Sequence, residues 1–181
     1  MEKMARQERS PPANWVLPGL SAEGPNPNYK ESLMLFGQFV GDWEIQECRI
    51  LTTAGNWREL VGELHWRWIL RGRAVQDVWT LFDKVTGKLF YEGTTVRLYV
   101  PETGTWASTW ISTSRDRARL FVGRLIGDEI VLDEQLEHSP RQERWIFFDI
   151  GPHSFRWLGE ERPNENSNWK VTEQMQIRRV D

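Results

Sequence analysis

From Asp42 to the end of the chain, hydrophobic and polar side chains alternate, and turn residues interrupt the alternation. Such alternation predicts half-buried β-strands, and breaks roughly 8–12 residues apart are typical of an all-β sandwich or barrel. The pattern predicts strands over residues 42–51, 58–70, 73–82, 89–100, 105–113, 118–126, 129–137, 143–150, 154–161 and 169–180. Between two of these strands, Gly127 and Asp128 form a two-residue hairpin signature.

The predicted strands are consecutive and mostly joined by hairpin-length turns, which indicates an antiparallel meander. An open sheet of this size would leave two unpaired edges, and closure into a barrel removes both. At this strand count the lumen exceeds what side chains alone easily fill. We therefore predict an all-β fold, a closed up-and-down antiparallel β-barrel of about ten strands with a ligand cavity.

A proline-rich segment and a short helix precede the strands. Residues 1–29 hold five of the nine prolines, which predicts an extended N-terminal arm ahead of a barrel domain over residues 30–181. Asn28 and Glu31 have the spacing of a capping box, which predicts a helix start. The apolar positions at helical spacing are Leu33, Phe36, Gly37 and Val40.

The apolar stretch over residues 14–20 gives the arm something to dock with. The barrel wall, its open mouth and a neighbouring subunit are all alternatives for the docking site. The third alternative leaves a homodimer open.

The first strand opens on Gly41, Asp42 and Trp43. A glycine there allows a sharp backbone turn, after which the indole can lie across one end of the barrel. Because the last strand of a closed barrel lies beside the first, Arg178 or Arg179 is expected to place a cation over this indole. The alternative is an ordinary core tryptophan with solvated arginines.

The Gly-x-Trp opening and the late basic residues resemble the lipocalin (calycin) superfamily. Residues 65–79, 93–106, 127–132, 144–157 and 168–179 add a resemblance to DUF1579 and DUF1579-like bacterial proteins. The resemblance runs from about Phe36 to Arg179 and implies a lipocalin-like barrel. It implies no particular activity, and the arm departs from the short N-terminus expected of the family.

Composition narrows the classes of function. The net charge is -3, and basic residues are scattered among acidic ones, so a nucleic-acid-binding surface is not expected. Cys48 is the single cysteine, which rules out an internal disulfide. No signal-peptide pattern and no apolar run of membrane-spanning length is present, so we expect a cytoplasmic protein without a membrane partner.

The chain contains 11 tryptophans, more than its phenylalanines or its tyrosines. Bulky core packing is one interpretation, and a cavity walled by indoles for an apolar or aromatic ligand is the other. Strand alternation predicts that one set of side chains lines the cavity, with Arg97 and Tyr99 at its polar end. The predicted ligand-binding residues are Trp66, Trp68, Trp79, Arg97, Tyr99, Trp110 and Trp157.

Three carboxylates, Asp77, Glu134 and Glu173, fall on otherwise apolar strand faces. A buried carboxylate needs a partner or a raised pKa. Structural ion pairs with Arg97 or Arg144 are one alternative. The other is general acid–base catalysis, which requires a raised pKa near neutral pH.

Metal and cofactor chemistry are not predicted. The three histidines lie far apart, and no metal-ligand spacing is present. Haem would need an inward-facing histidine, and only His65 lies mid-strand, among neighbours that suggest solvent. Cys48 alternates with Glu44 and Gln46 on a face that looks polar.

The leading hypothesis is a protein that binds a small apolar or aromatic molecule inside the barrel. The alternative is a cofactor-independent isomerase, cyclase or lyase that uses the three carboxylates in the same cavity. A third hypothesis is an interaction module that docks a partner through the arm.

Overall fold

A computed structural model describes residues 19–180 of the chain, and in it ten antiparallel strands form one closed barrel. The strands are β1 (Gly41–Leu51), β2 (Trp57–Ile69), β3 (Ala74–Asp83), β4 (Leu89–Val100), β5 (Thr105–Ser112), β6 (Arg117–Ile126), β7 (Glu129–Glu134), β8 (Gln142–Phe148), β9 (Ser154–Arg162) and β10 (Lys170–Arg179). Each strand pairs with its sequence neighbours, and β1 pairs with β10. The predicted fold is confirmed, including the hairpin through Gly127, whose φ is 65°.

The short helix is present, but it begins differently from the prediction. Helix α1 (Lys30–Gly37) has Tyr29 at its N-cap, and no side chain caps it. The expected capping box is wrong because Asn28 lies inside a preceding 3-10 turn, Pro27–Tyr29. The Oδ1 of Asn26 accepts the backbone N–H of Asn28 at 3.1 Å, so the chain is already turning before α1 starts.

Helix α1 closes one end of the barrel with aromatic side chains. Phe36 of α1 and Phe39, just after it, are buried among Trp66, Trp106, Phe147 and Phe155. Trp43 is buried beside them, and its indole Nε1–H donates to the carbonyl oxygen of Phe39 at 2.6 Å. The predicted indole floor is therefore confirmed.

The glycine before Trp43 is needed for its backbone and for space. Gly41 has a φ of +138°, which L side chains rarely adopt. A Cβ at this position would also lie 2.4 Å from Nη1 of Arg179. The sharp entry into β1 and the position of Arg179 therefore depend on the same residue.

Two β-bulges shift side chains to a face that simple alternation does not predict. The pairing of β1 shifts between Ile45 and Cys48, and Cys48 is consequently buried in the core rather than on a polar face. The pairing of β10 with β9 shifts between Val171 and Glu173. Trp169 consequently lies against Arg144 and Arg162, not on the face of Glu173.

Only the end of the predicted arm belongs to the described residues. Ala22 bridges to Trp68 of β2, and its N–H donates to the carbonyl oxygen of Trp68 at 2.8 Å. Residues 1–18, and with them most of the apolar stretch 14–20, lie outside the described part. Within residues 19–180, no helix combines the length and apolarity needed to cross a membrane.

Candidate functional site

The end of the barrel opposite α1 is open, and its free space has two parts. The inner crevice has a volume of about 20 Å³ and is lined mainly by aromatic and other apolar side chains. The outer vestibule has a volume of about 350 Å³ and is lined mainly by charged and hydroxyl side chains. Arg115 and Glu173 line both spaces, so the vestibule leads into the crevice.

Four indoles surround the crevice in a closed ring. The centroid distances around it are 5.5 Å from Trp79 to Trp157, 5.7 Å from Trp157 to Trp145, 5.7 Å from Trp145 to Trp110 and 6.4 Å from Trp110 to Trp79. Three of the four contacts are edge-to-face, a favoured geometry for aromatic pairs. We call these four residues the indole quartet.

The quartet forms because strand alternation brings one tryptophan from each of four strands to the lumen. Trp79 comes from β3, Trp110 from β5, Trp145 from β8 and Trp157 from β9. A glycine on the neighbouring strand leaves room for Trp110, because a Cβ at Gly93 would lie 2.4 Å from its Cζ2. The size of the crevice therefore depends on where the wall lacks a side chain.

The indole N–H groups of the quartet differ in whether they have a hydrogen-bond acceptor. The indole Nε1–H of Trp110 donates to the hydroxyl of Tyr91 at 3.1 Å. The Nε1 atoms of Trp79 and Trp157 are buried, and neither has a hydrogen-bond partner among residues 19–180. Two indole donors of the quartet consequently lack an acceptor in the described part of the chain, as does the indole of Trp66 at the other end of the barrel.

A buried charged cluster sits above the quartet. Nε of Arg119 lies 2.5 Å from Glu134 Oε1, and its Nη2 lies 2.5 Å from Glu143 Oε1. The guanidinium also lies over the rings of Phe121 and Trp145. Burial alone would lower the pKa of Arg119, but the two carboxylates outweigh it and raise this pKa above its usual value. Arg119 is therefore a fixed cation.

Glu173 lies at the junction of crevice and vestibule. Its side chain is 24% exposed, and its Oε1 is 3.5 Å from Nη2 of Arg115. Burial raises the pKa of Glu173 above that of an ordinary carboxyl, and the charge of Glu143 adds to the rise. The nearby Arg115 offsets part of this effect. Among the three predicted carboxylates, Glu173 alone lines these spaces.

Asp77 lies deeper, toward the closed end. It is fully buried in an ion pair with Arg97, and its Oδ1 accepts the backbone N–H of Thr95 at 3.0 Å. The guanidinium of Arg97 is 4.4 Å from the Trp66 ring centroid. Burial raises the pKa of Asp77 and lowers that of Arg97, because each charged form loses hydration. Arg97 is thus the partner of Asp77, as one alternative predicted.

Arg144, the other predicted partner, does not meet the three carboxylates. Its Nε donates to Glu160 at 2.8 Å, and its guanidinium lies over Trp169. The partners of Glu134 and Glu173 are Arg119 and Arg115 instead. The expectation for Arg144 is wrong because the side chain belongs to the face opposite that of its neighbour Trp145.

The predicted ligand-binding residues divide between the two ends of the barrel. Trp79, Trp110 and Trp157 line the crevice. Trp66 stacks on Phe36, and Trp68 packs against Gly37 of α1. Arg97 is buried with Asp77, and Tyr99 contacts Trp106 at 5.8 Å between ring centroids. Those four residues therefore do not line the crevice or the vestibule.

Sequence reasoning missed Trp145, Tyr91 and the arginines around the mouth. The signal for Trp145 was available, because it alternates with Phe147 in a predicted strand. The signal for the arginines was the run Arg115, Arg117, Arg119, in which every second residue is basic. Their pairing with Glu134, Glu143 and Glu173 joins distant strands and left no local pattern.

The histidine at mid-strand faces away from the lumen. Nδ1 of His65 is 2.6 Å from Oδ1 of Asp42, and the His65 side chain is 42% exposed. The hydrogen bond with Asp42 raises the pKa of His65. This orientation confirms the expected solvent-facing position and does not supply the inward ligand that haem would need.

Comparisons with known proteins agree on the fold. The structure is similar to Rv2717c from M. tuberculosis, with a TM-score of 0.63 and 12% identity over 87% of this chain and 99% of that one. It is also similar to the S-type phycobiliprotein lyase CPES from Guillardia theta, with a TM-score of 0.55 and 9% identity over 81% and 91%. Both are lipocalin-like barrels, and at such low identity the likeness shows the fold alone. No protein-family model and no curated protein matches the chain.

Proposed function

We propose that the protein binds a small aromatic molecule at the open end of its barrel. The observation that carries the proposal is the indole quartet with two buried N–H groups, on Trp79 and Trp157, that lack a partner among residues 19–180. Leaving a buried donor unpaired costs about 1–3 kcal/mol. A ligand with an acceptor atom beside its ring would remove that cost and gain edge-to-face aromatic contacts.

The volumes indicate how such a ligand would be seated. The vestibule, at about 350 Å³, is within the usual range of small-molecule pockets. The crevice, at about 20 Å³, has room for roughly one water molecule. A ring would therefore enter the quartet only as Met175, Arg115 or Glu173 moves aside. Met175 suits this role because its unbranched side chain adapts easily.

Of the seven ligand-binding residues predicted from the sequence, this proposal keeps Trp79, Trp110 and Trp157 as ligand contacts. It adds Trp145 and Tyr91. Trp66, Trp68, Arg97 and Tyr99 would act indirectly, by holding the closed end. From the motifs that resemble DUF1579, we also propose that the chain belongs to that family. Because the family implies no activity, the proposed function does not depend on it.

Fluorescence titration tests the proposal. A panel that includes indole, 2-naphthol and quinoline should quench or shift the tryptophan emission in a saturable way. Trp79→Phe and Trp157→Phe remove one indole N–H each and should weaken binding of the responding compounds. Trp57→Phe is the matched control, because Trp57 is 38% exposed outside the crevice. Absence of any saturable response across the panel would count against the proposal.

A second candidate function is acid–base catalysis in the same space. It is favoured by Glu173, a carboxyl with a raised pKa at the mouth of an aromatic crevice. Asp77 is unsuited to it because its ion pair is sealed from solvent, and Glu134 is held by Arg119.

The two candidates separate with one variant. Glu173→Gln keeps the shape of the side chain and removes its proton chemistry. If a bound compound is turned over by the wild type, the variant should still bind it and should lose turnover. Equal turnover by both proteins would remove Glu173 as the acid or base.

A further inference from the structure

We infer that the ligand of the open end carries an anionic group, such as a carboxylate, which binds to Arg115, Arg117 and Lys170 in the vestibule. This inference rests on the proposed function, since it specifies the class of aromatic molecule that the same site takes. It is carried by the placement and pairing of the basic side chains around the mouth.

Three arginines face the mouth from alternate positions in β6 and the turn before it, Arg115, Arg117 and Arg119. Arg117 pairs across from Ser112, and Arg119 pairs across from Trp110, and both of those β5 residues are buried on the lumen side. Because alternate residues of a strand share a face, Arg117 and Arg119 face the lumen as well. Arg115, two residues earlier, lines both the vestibule and the crevice.

The basic side chains at the mouth differ in how far carboxylates neutralise their charge. Arg119 is paired with two carboxylates, those of Glu134 and Glu143. Arg115 has a single, long contact of 3.5 Å to Glu173. Arg117 forms no ion pair with any residue in the described part of the chain, and the same holds for Lys170. The positive charge that no carboxylate neutralises is therefore concentrated at Arg115, Arg117 and Lys170.

The whole lining of the vestibule has a positive excess. Its basic members are Arg115, Arg117, Arg141 and Lys170, and its acidic members are Glu143, Glu161 and Glu173. Arg141 is occupied by Glu143 and by Glu161, the latter at 3.3 Å. Since the pKa of Glu173 is raised, its carboxyl opposes the arginines less than a fully ionised one would. An incoming anion consequently meets unpaired cations.

Because the unpaired cations lie next to the indole quartet, the site favours a molecule that carries both an aromatic ring and an anionic group over an anion without a ring. Arg115 lies at the junction of the two spaces, so one molecule can place its ring toward the indoles and its anion toward the arginines. Arginine binds carboxylates through two parallel N–H donors, which adds orientation to the attraction. A neutral analogue of equal shape would keep the ring contacts and lose the ionic ones.

The experiment compares 2-naphthoate with its neutral isostere 2-naphthamide, using the intrinsic fluorescence of the full chain. We expect 2-naphthoate to bind at least about fivefold more tightly at low salt and to lose most of that advantage in 0.5 M NaCl. Arg117→Gln and Lys170→Gln should each weaken 2-naphthoate binding about threefold to tenfold and leave 2-naphthamide binding unchanged. Arg178→Gln, an exposed position on β10 away from the vestibule, is the control and should change neither.

The outcomes separate the inference from the proposal beneath it. Equal, salt-independent binding of the acid and the amide would overturn the inference and leave the proposed function standing. The same holds if Arg117→Gln and Lys170→Gln weaken 2-naphthoate binding no more than Arg178→Gln does. If neither naphthalene compound nor any member of the panel binds, the proposed function fails first.

Discussion

The guanidinium of Arg179 lies 4.0 Å from the ring centroid of Trp43, so the end of the last strand covers the start of the first. The same guanidinium donates to three carbonyl oxygens. Nη1 binds Val40 at 2.9 Å, Nη2 binds Gln38 at 2.8 Å, and Nε binds Pro152 at 2.9 Å. One side chain thus ties together the helix end, the β8–β9 turn and the seam of the barrel.

Arg179→Met should destabilise the fold by about 2–4 kcal/mol, because it removes a cation–π contact and three hydrogen bonds. Urea unfolding followed by tryptophan emission would measure the loss. Arg178→Met is the matched control, since Arg178 is exposed and a surface change of this kind is usually worth less than about 0.5 kcal/mol. Equal unfolding midpoints for the two variants would show that the contact with Trp43 adds no stability.

Asp77→Asn should destabilise the fold by about 3–5 kcal/mol, because it leaves the buried Arg97 without its counter-charge. Chemical denaturation at neutral pH would measure it. Combining Asp77→Leu with Arg97→Met should recover much of the loss, since it removes both buried charges. Asp128→Asn, in an exposed hairpin turn, serves as the control. A single variant as stable as the wild type would contradict the structural role of the pair.

Glu173→Gln should make the protein more stable relative to the wild type as the pH rises. Because the pKa of Glu173 is higher in the folded than in the unfolded chain, the folded state holds the proton longer. The contribution of Glu173 to the stability of the wild type therefore decreases as the pH rises from the unfolded pKa through the raised folded one. The glutamine side chain does not ionise in this pH range, so the variant lacks this pH dependence.

Denaturation midpoints at pH 4 and pH 7 would measure that difference. Glu102→Gln, in the exposed turn between β4 and β5, controls for a general charge effect. A difference between Glu173→Gln and wild type that is independent of pH, or that runs in the opposite sense, would refute the assigned shift.

Cys48 should resist thiol reagents in the folded protein. Burial raises the pKa of its thiol well above the ordinary range, so the reactive thiolate is rare, and the side chain is out of reach of solvent. Labelling with dithionitrobenzoate should be slow in native buffer and complete in guanidinium. A variant carrying Gln46→Cys together with Cys48→Ala should label quickly, because position 46 is exposed. Rapid native labelling of the wild type would place Cys48 outside the core.

The sequence predicted the architecture well because alternation is a property of each strand alone. β4 has the predicted ends, and the inward faces of β3 and β4, with Asp77 and Arg97 on them, are as expected. Alternation failed at Cys48 because an extra residue in one strand reverses the faces beyond it, and the bulge in β10 displaces Trp169 in the same way. Neither bulged segment, residues 45–48 or 171–173, contains a glycine, and the glycines that face them, Gly62 and Gly159, lie on the partner strands.

The candidate site was predicted only in part, and for a different reason. Alternation placed Trp79, Trp110 and Trp157 on the lumen side, but it cannot tell depth along the barrel axis. Depth separates these three from Trp66, which packs on α1 at the other end. The depth of a side chain depends on strand stagger and on where α1 docks, and both are properties of the assembled barrel.

The seam between β1 and β10 has a consequence for how the chain acquires its structure. The hydrogen bond from Arg179 to Val40 joins residues 139 positions apart. During synthesis, the open flank of β1 consequently has no partner until β10, residues 170–179, has left the ribosome. Closure of the barrel must therefore come late in folding, and the entropic cost of pairing strands so far apart in sequence would limit its rate.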